Sequence, residues 1–219
     1  NTLFPLGQMT NAYTAVAIMQ LKEAEKLSLE DTLMSHISNV PKSWSDVRIF
    51  DLLTHSSGTP SYAGEDFDYS KEYTNSDIIN RVKDMPLLFE AGTKQQYSAT
   101  NHYLLGMVIE KVSGTTYQDY VQKGQIDPLK LTQTHFLSNS TAVENEVPNL
   151  QEPNFQHSQF KHKRVFISPT ELADGYEINN IAAPVTSWSA VFADSGMVAS
   201  ARDVSLWDIG LAGDILIKE

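Results

Sequence analysis

With 219 residues, 41% of them hydrophobic and 20% charged, the chain is long enough to bury a sizeable core and has the composition of a globular protein of one or two domains. A formal net charge of −11 sets it against nucleic acid and anionic lipid, whose phosphates it repels, and favours a neutral or cationic small partner. The absence of cysteine excludes disulfides, thiolate metal sites and a cysteine nucleophile, while leaving the compartment open.

No apolar run nears the roughly 20 residues of a membrane span, and the N-terminus lacks the basic flank and apolar stretch of a signal peptide. Asn1 in place of an initiator methionine marks a processed chain or a piece of a longer one. The first element is a helix centred on Ala12 to Met19, apolar on nearly every side and therefore buried rather than amphipathic, continuing through polar residues to about Lys26. Ser28, Glu30 and Asp31 then offer the local side-chain hydrogen bonds of a turn or a new cap. VRIFDLLTHSSGTP gives a short apolar helix closed by a turn around Ser56, Gly58 and Pro60.

Tyr62 to Asn75 is acidic and aromatic without period, and reads as an exposed loop. Glu65, Asp66 and Asp68 lie close together there, but lack the alternating oxygen ligands and the glycine of a calcium loop, so a solvated acidic loop is the better account. Thr100 to Gly114 is the clearest helix: Leu104, Leu105, Val108, Ile109 and Val112 form a stripe, and Gly114 suits the stop. From Ser138 to Trp188 periodicity weakens and Asn, Pro, Glu and Gln dominate, as in a functional cover or a disordered segment. Gly196 to Ser200 reads as a buried strand, and Ser200 with Asp203 forms a capping box that opens a helix through Leu211.

Taken in order, FPLGQMTNAYTAVAIMQLKEAEKLSLEDTL, VRIFDLLTHSSGTPSY, FEAGTKQQYSATNHYLLGMVIEKVSGTTYQDYV and DSGMVASARDVSLW resemble the serine β-lactamase and penicillin-binding-protein superfamily, most of all its class C and esterase-like branch. The resemblance implies an α+β fold, β-lactamase/transpeptidase-like, with helices packed on an antiparallel sheet plus a mainly helical lobe. It also implies that residues 1–219 form a single such domain whose sheet is incomplete, lacking N-terminal strands and the C-terminal strands with the third motif, with 138–188 as a variable region. The implied chemistry is hydrolysis of a β-lactam, an ester or a D-amino-acid peptide through a serine acyl-enzyme, with no cofactor and no metal. Family members are often secreted or periplasmic.

That chemistry needs a serine and a lysine three residues apart on one helix face, so that a desolvated lysine accepts the serine's proton beside the positive helix end. In this chain the nucleophile position falls on Gln8 and the base position on Asn11. A carboxamide neither forms an acyl-enzyme nor serves as a base near neutral pH. The family's Tyr-x-Asn element reads Tyr97-Ser98-Ala99, which keeps the tyrosine, replaces the substrate-holding asparagine by Ala99, and leaves Ser98 as a substrate-binding neighbour.

Tyr97 is open to two readings, a surviving acid or base and a packing residue with a bonded hydroxyl. Gln8 and Asn11 are either a polar binding site made from a dead catalytic one or an amide pair that satisfies itself and nearby backbone. Ser158-Gln-Phe-Lys161 repeats the catalytic spacing, but in an irregular region without helix context. His157 and His162 among Lys161, Lys163 and Arg164 form a basic patch that reads as solvated, and the sequon Asn139-Ser-Thr141 is uninformative. His55 reads as architectural, and His36, His102 and His135 are too scattered for a metal set.

Three functional readings remain: an impaired relative binding a small acyl, ester or β-lactam ligand in the old cleft, an active hydrolase whose nucleophile is altered or replaced by Ser98, and an interaction module. The incomplete sheet calls for a partner chain or segment to cover it. Nucleic acid and a membrane span are not expected.

Overall fold

The computed structural model describes residues 2–137 and 186–218. At its centre lies helix α1, Thr10–Glu23, with Tyr13, Thr14, Val16, Ala17, Ile18 and Leu21 buried among other helices. Residues apolar on nearly every side can be accommodated only where neighbours approach from several directions. Those neighbours are α5 (Ala99–Ser113), α6 (Tyr117–Val121) and α7 (Trp188–Ser195).

Helix α5 is buried all round from Ala99 to Gly106, and Leu104, Leu105, Val108 and Ile109 of the expected stripe are fully enclosed. It stops at Gly114, whose φ of 72° lets the backbone turn left-handed where a side chain would be strained. Short helices α2 (Leu33–His36) and α3 (Ile49–Leu53) pack on α5, and α4 (Asn75–Val82) is opened by a reciprocal Thr74–Asp77 capping box.

The sheet is small and antiparallel. Strand β3 (Met197–Ala199) runs between β1 (Phe4–Pro5) and β2 (Thr134–Phe136), with Phe4 opposite Ala199 and His135 opposite Val198. All three β3 residues are buried. The chain leaves β3 through Ser200, whose hydroxyl accepts from the Asp203 amide to open α8 (Ala201–Ala212). Only this half of the expected capping box forms, because the Asp203 carboxylate accepts from the Gln133 amide at 2.6 Å and the Ser200 amide donates to the Gln133 carbonyl at 2.9 Å.

One expectation changes. The segment from Tyr62 to Asn75 is a loop, but Tyr62 and Phe67 are buried and the Tyr62 hydroxyl donates to the Ala190 carbonyl at 2.9 Å. Its acidic side chains stay in solvent as expected: Glu65 and Asp66 are exposed, Asp66 pairing with Arg81 at 2.9 Å, and half-buried Asp68 meets Ser70 and Lys71. Ser158, Lys161, His157, His162, Lys163, Arg164 and the Asn139 sequon lie outside the described residues. No helix among the described residues is long and apolar enough to cross a membrane.

Candidate functional site

The chain enters α1 through a tight helical turn, Gly7–Met9, which exposes Gln8 and sets Asn11 on the first turn of the helix behind it. The Leu6 amide bonds to the Met197 carbonyl at 2.8 Å, so this entrance is tied to the end of β3. The last turn of α7, just before β3, carries the residue that organises the site, Asp194.

Asp194 is only 3% exposed, and three neutral donors converge on its carboxylate. The Tyr97 hydroxyl donates to Oδ1 at 2.9 Å and the Ser195 hydroxyl to Oδ2 at 2.5 Å. The Asn11 amide, oriented by its surroundings, donates from Nδ2 to the Asp194 carbonyl at 2.8 Å and more loosely to Oδ1 at 3.3 Å. Burial pushes the Asp194 carboxyl above its ordinary range, against the opposing pull of these three hydrogen bonds. Among the described residues no ion pair reaches it.

Long-range bonds hold Asp194 in place. Thr14 Oγ1 donates to the Ala193 carbonyl at 2.7 Å, and therefore accepts from the Tyr117 hydroxyl at 2.7 Å. The backbone of α7 breaks at Phe192, with φ 38° and ψ −130°, a region few side-chain-bearing residues adopt. This break turns the last residues of α7 toward the entrance of α1.

Tyr97, half in solvent, immediately precedes α5, and the Gln8 carboxamide lies against its hydroxyl. Burial first, and the Asp194 charge second, drive the Tyr97 phenol well above its usual range, so it stays protonated and acts as a donor. Its ring rests on the His55 ring at 4.9 Å, which rests in turn on His102 at 4.8 Å. Ser57 and Thr59 donate to Asn101 Oδ1 at 2.6 and 2.7 Å, leaving the Asn101 amide to donate to His55 Nδ1 at 2.9 Å. His55, held at φ 55°, thus carries its proton on Nε2 and props Tyr97 from behind. The architectural reading of His55 holds, with a positioning role added to it.

Both histidines are held neutral, His55 lowered by burial and His102 lowered to about 3 by burial and then by the His55 charge. The unfolded chain protonates them near the ordinary value of about 6.5, so stability falls as pH drops below that point, by about 1.4 kcal/mol per pH unit for His102 and in the same direction for the more exposed His55. Asp194 has the opposite sign: its raised carboxyl takes a proton in the fold before it does in the unfolded chain, returning part of the loss at more acid pH. His102→Gln is expected to flatten the curve of melting temperature against pH between 6.5 and 5, and parallel curves for the two proteins would refute the assignment.

The structure brings Gln8, Asn11 and Tyr97 together, and adds Asp194, which sequence reasoning missed. Ser98 caps α5 with its hydroxyl buried and without a partner among the described residues, and Ala99 is buried behind it. No group of three His, Cys, Asp or Glu among the described residues is placed to hold a metal. A surface groove of about 580 Å³ lies at Gln20, Lys22, Glu23, Ala24 and Lys218. Twelve residues of helix separate Gln20 from Gln8, roughly 18 Å, so that groove is remote from this cluster.

A family model described as Beta-lactamase matches residues 1–219. The chain is 28% identical over 179 residues to penicillin-binding protein 4* of Bacillus subtilis, covering 80% of this chain and 38% of that protein. A penicillin binding protein from Bacillus halodurans superposes with a TM-score of 0.75 at 26% identity, over 100% of this chain and 61% of that one. A D-stereospecific amidohydrolase from Streptomyces sp. shares the fold with a TM-score of 0.79 at 22% identity, over 100% of this chain and 63% of that one. The chain thus spans 38% of the length of the curated relative and 61% and 63% of the two solved chains.

Proposed function

Because the chain belongs to the Beta-lactamase family of serine hydrolases, we propose that its cleft has given up covalent turnover and binds an acyl, ester or β-lactam-like ligand reversibly. The observation that carries this reading is the pairing of carboxamides at the two reactive positions, Gln8 exposed at the mouth and Asn11 bonded to Asp194 behind it. An acyl-enzyme needs a nucleophile and an acceptor for its proton, and neither side chain supplies one. Ser98 offers no replacement while its hydroxyl is buried and 2% exposed. Tyr97, locked as a donor onto Asp194, lines the cleft as a binding group.

The short sheet also favours a covering segment, from a second copy or from more of the same polypeptide. Phe4 on β1 and Met9 next to Gln8, each about half exposed, leave apolar surface that such a segment would bury.

Fluorescent penicillin and a fluorophosphonate probe test the reading directly. Neither is expected to label the protein at high dose, as judged by gel fluorescence and intact mass. A covalent adduct mapped to any serine of the chain would overturn it.

A further inference from the structure

We propose that Asp194, with Tyr97, Tyr69 and Gln8 around it, is a binding site for a primary ammonium group, so that the ligand of this cleft is a small organic cation. The inference rests on the reading of the cleft as a reversible binding site and names the class of ligand it takes.

The argument is one of charge. Asp194 is a buried carboxylate whose contacts from Tyr97, Ser195 and Asn11 are all neutral. Neutral donors reduce the cost of burying an anion but do not cancel its charge, which explains why burial still outweighs them in setting its affinity for protons. One positive charge beside Oδ1 would complete the site. The weakest of the present bonds, the 3.3 Å contact from Asn11, is the one an ammonium would replace, since the Asn11 amide keeps its shorter bond to the Asp194 carbonyl.

The rim suits such a guest. Tyr97 and Tyr69 are 43% and 42% exposed, and the phenols of both are raised by burial first and by the Asp194 charge second. The Tyr69 hydroxyl also acts on Tyr97, so the two side chains are electrostatic neighbours of each other as well as of the carboxylate. Two half-exposed tyrosines beside an anion offer an organic cation ring faces for its charge and apolar contact for its body. The Gln8 carboxamide, exposed and set against the Tyr97 hydroxyl, adds a polar group at the mouth beside the carboxylate, where an ammonium brings three N–H donors. A metal ion fits less well, because calcium takes six to eight oxygen ligands and the hydroxyls here are committed as donors.

Fluorobenzylammonium, followed by fluorine NMR, tests this on the unmodified protein, with fluorobenzyl alcohol as the neutral counterpart. The cation is expected to bind saturably and the alcohol at least about 10-fold more weakly, the loss typical of removing one charged hydrogen bond. Asp194→Asn should weaken the cation by a similar factor. Asn11→Lys should do the same by placing a tethered ammonium against the carboxylate, and it keeps the proposal testable should the first variant not fold. Equal binding of cation and alcohol, unchanged binding in either folded variant, or no saturable binding at all would overturn it. The measurement forms no covalent bond, so a serine adduct in the labelling experiment would sink the previous reading and leave this result to stand or fall by itself.

Discussion

Gly106→Val is expected to destabilise the protein by about 3 kcal/mol or more, and Gly106→Ala by about 1–2 kcal/mol, because both overfill a closed contact. Gly106 lies in the fully enclosed half of α5, where the helix meets the broken end of α7. A methyl group there would stand 2.4 Å from the Ala193 Cβ and 2.5 Å from Phe192 Cε1, inside any real carbon contact. Alanine would recover about 1 kcal/mol of helix propensity. The clash outweighs that gain, since the Ala193 Cβ is fixed to backbone and cannot swing aside, and the Phe192 backbone already sits at φ 38°. Relief requires α7 to move away from α5 and to carry Asp194 off Tyr97 and Asn11. Against a total stability of about 5–15 kcal/mol, the valine variant should lose much of its cooperative urea transition. The alanine variant should fold with a lower midpoint and a changed environment for Tyr97 in near-ultraviolet circular dichroism. An alanine variant as stable as the parent would show that the close approach is not a constraint.

Helices α1 and α5, strand β3 and the cap at Ser200 were legible because each has a local signature: an all-apolar helix, a stripe ended by glycine, a short apolar run after a glycine, a serine three residues before an aspartate. The incomplete antiparallel sheet and its helical surroundings followed from the family resemblance, which the match over residues 1–219 supports. Helix α4 does carry a local signal, the Thr74–Asp77 box, but it lies at the end of an acidic aromatic loop without period that masks it. That Tyr62 is buried could not be read locally, since it meets Ala190 of α7 and the ring of Tyr103 on α5, and Phe67 is buried in turn against the rings of Tyr62 and Tyr73 and the Arg81 guanidinium.

The site was half legible for the same reason. Gln8, Asn11 and Tyr97 were found by their place in a known pattern, whereas Asp194 stands 97 residues from Tyr97 in an unremarkable Asp-Ser-Gly. A buried acid looks like a surface acid until the fold closes over it, and the positive φ at Phe192 that aims it has no trace in residue type. His55 likewise becomes a prop for Tyr97 only once Asn101 from α5 fixes its tautomer.

Restoring Gln8→Ser, Asn11→Lys and Ala99→Asn together is expected to return only slow acylation by fluorescent penicillin, and adding Asp194→Asn to raise its rate about 10-fold or more at neutral pH. A lysine at position 11 would stand where the Asn11 amide now reaches Asp194. An opposite charge at that range raises a lysine pKa by about 1–3 units, and each unit removes about nine tenths of the free amine that must accept the serine's proton. Asp194 also holds the Tyr97 hydroxyl as a donor, withholding the second group able to move a proton. One carboxylate therefore opposes both proton acceptors of the family chemistry, and the amide at position 11 relieves the site of a tight ion pair as well as of a base. Single reversions should do nothing measurable, since nucleophile and base act as a unit. The pH profile of acylation decides the matter: the triple variant should require pH at least about 1 unit higher than the quadruple variant to reach half its maximal rate. Coincident profiles would mean that Asp194 has no hold on the base, and failure of both variants to form an adduct mapped to position 8 would mean that more of the cleft than its two carboxamides stands between this chain and turnover.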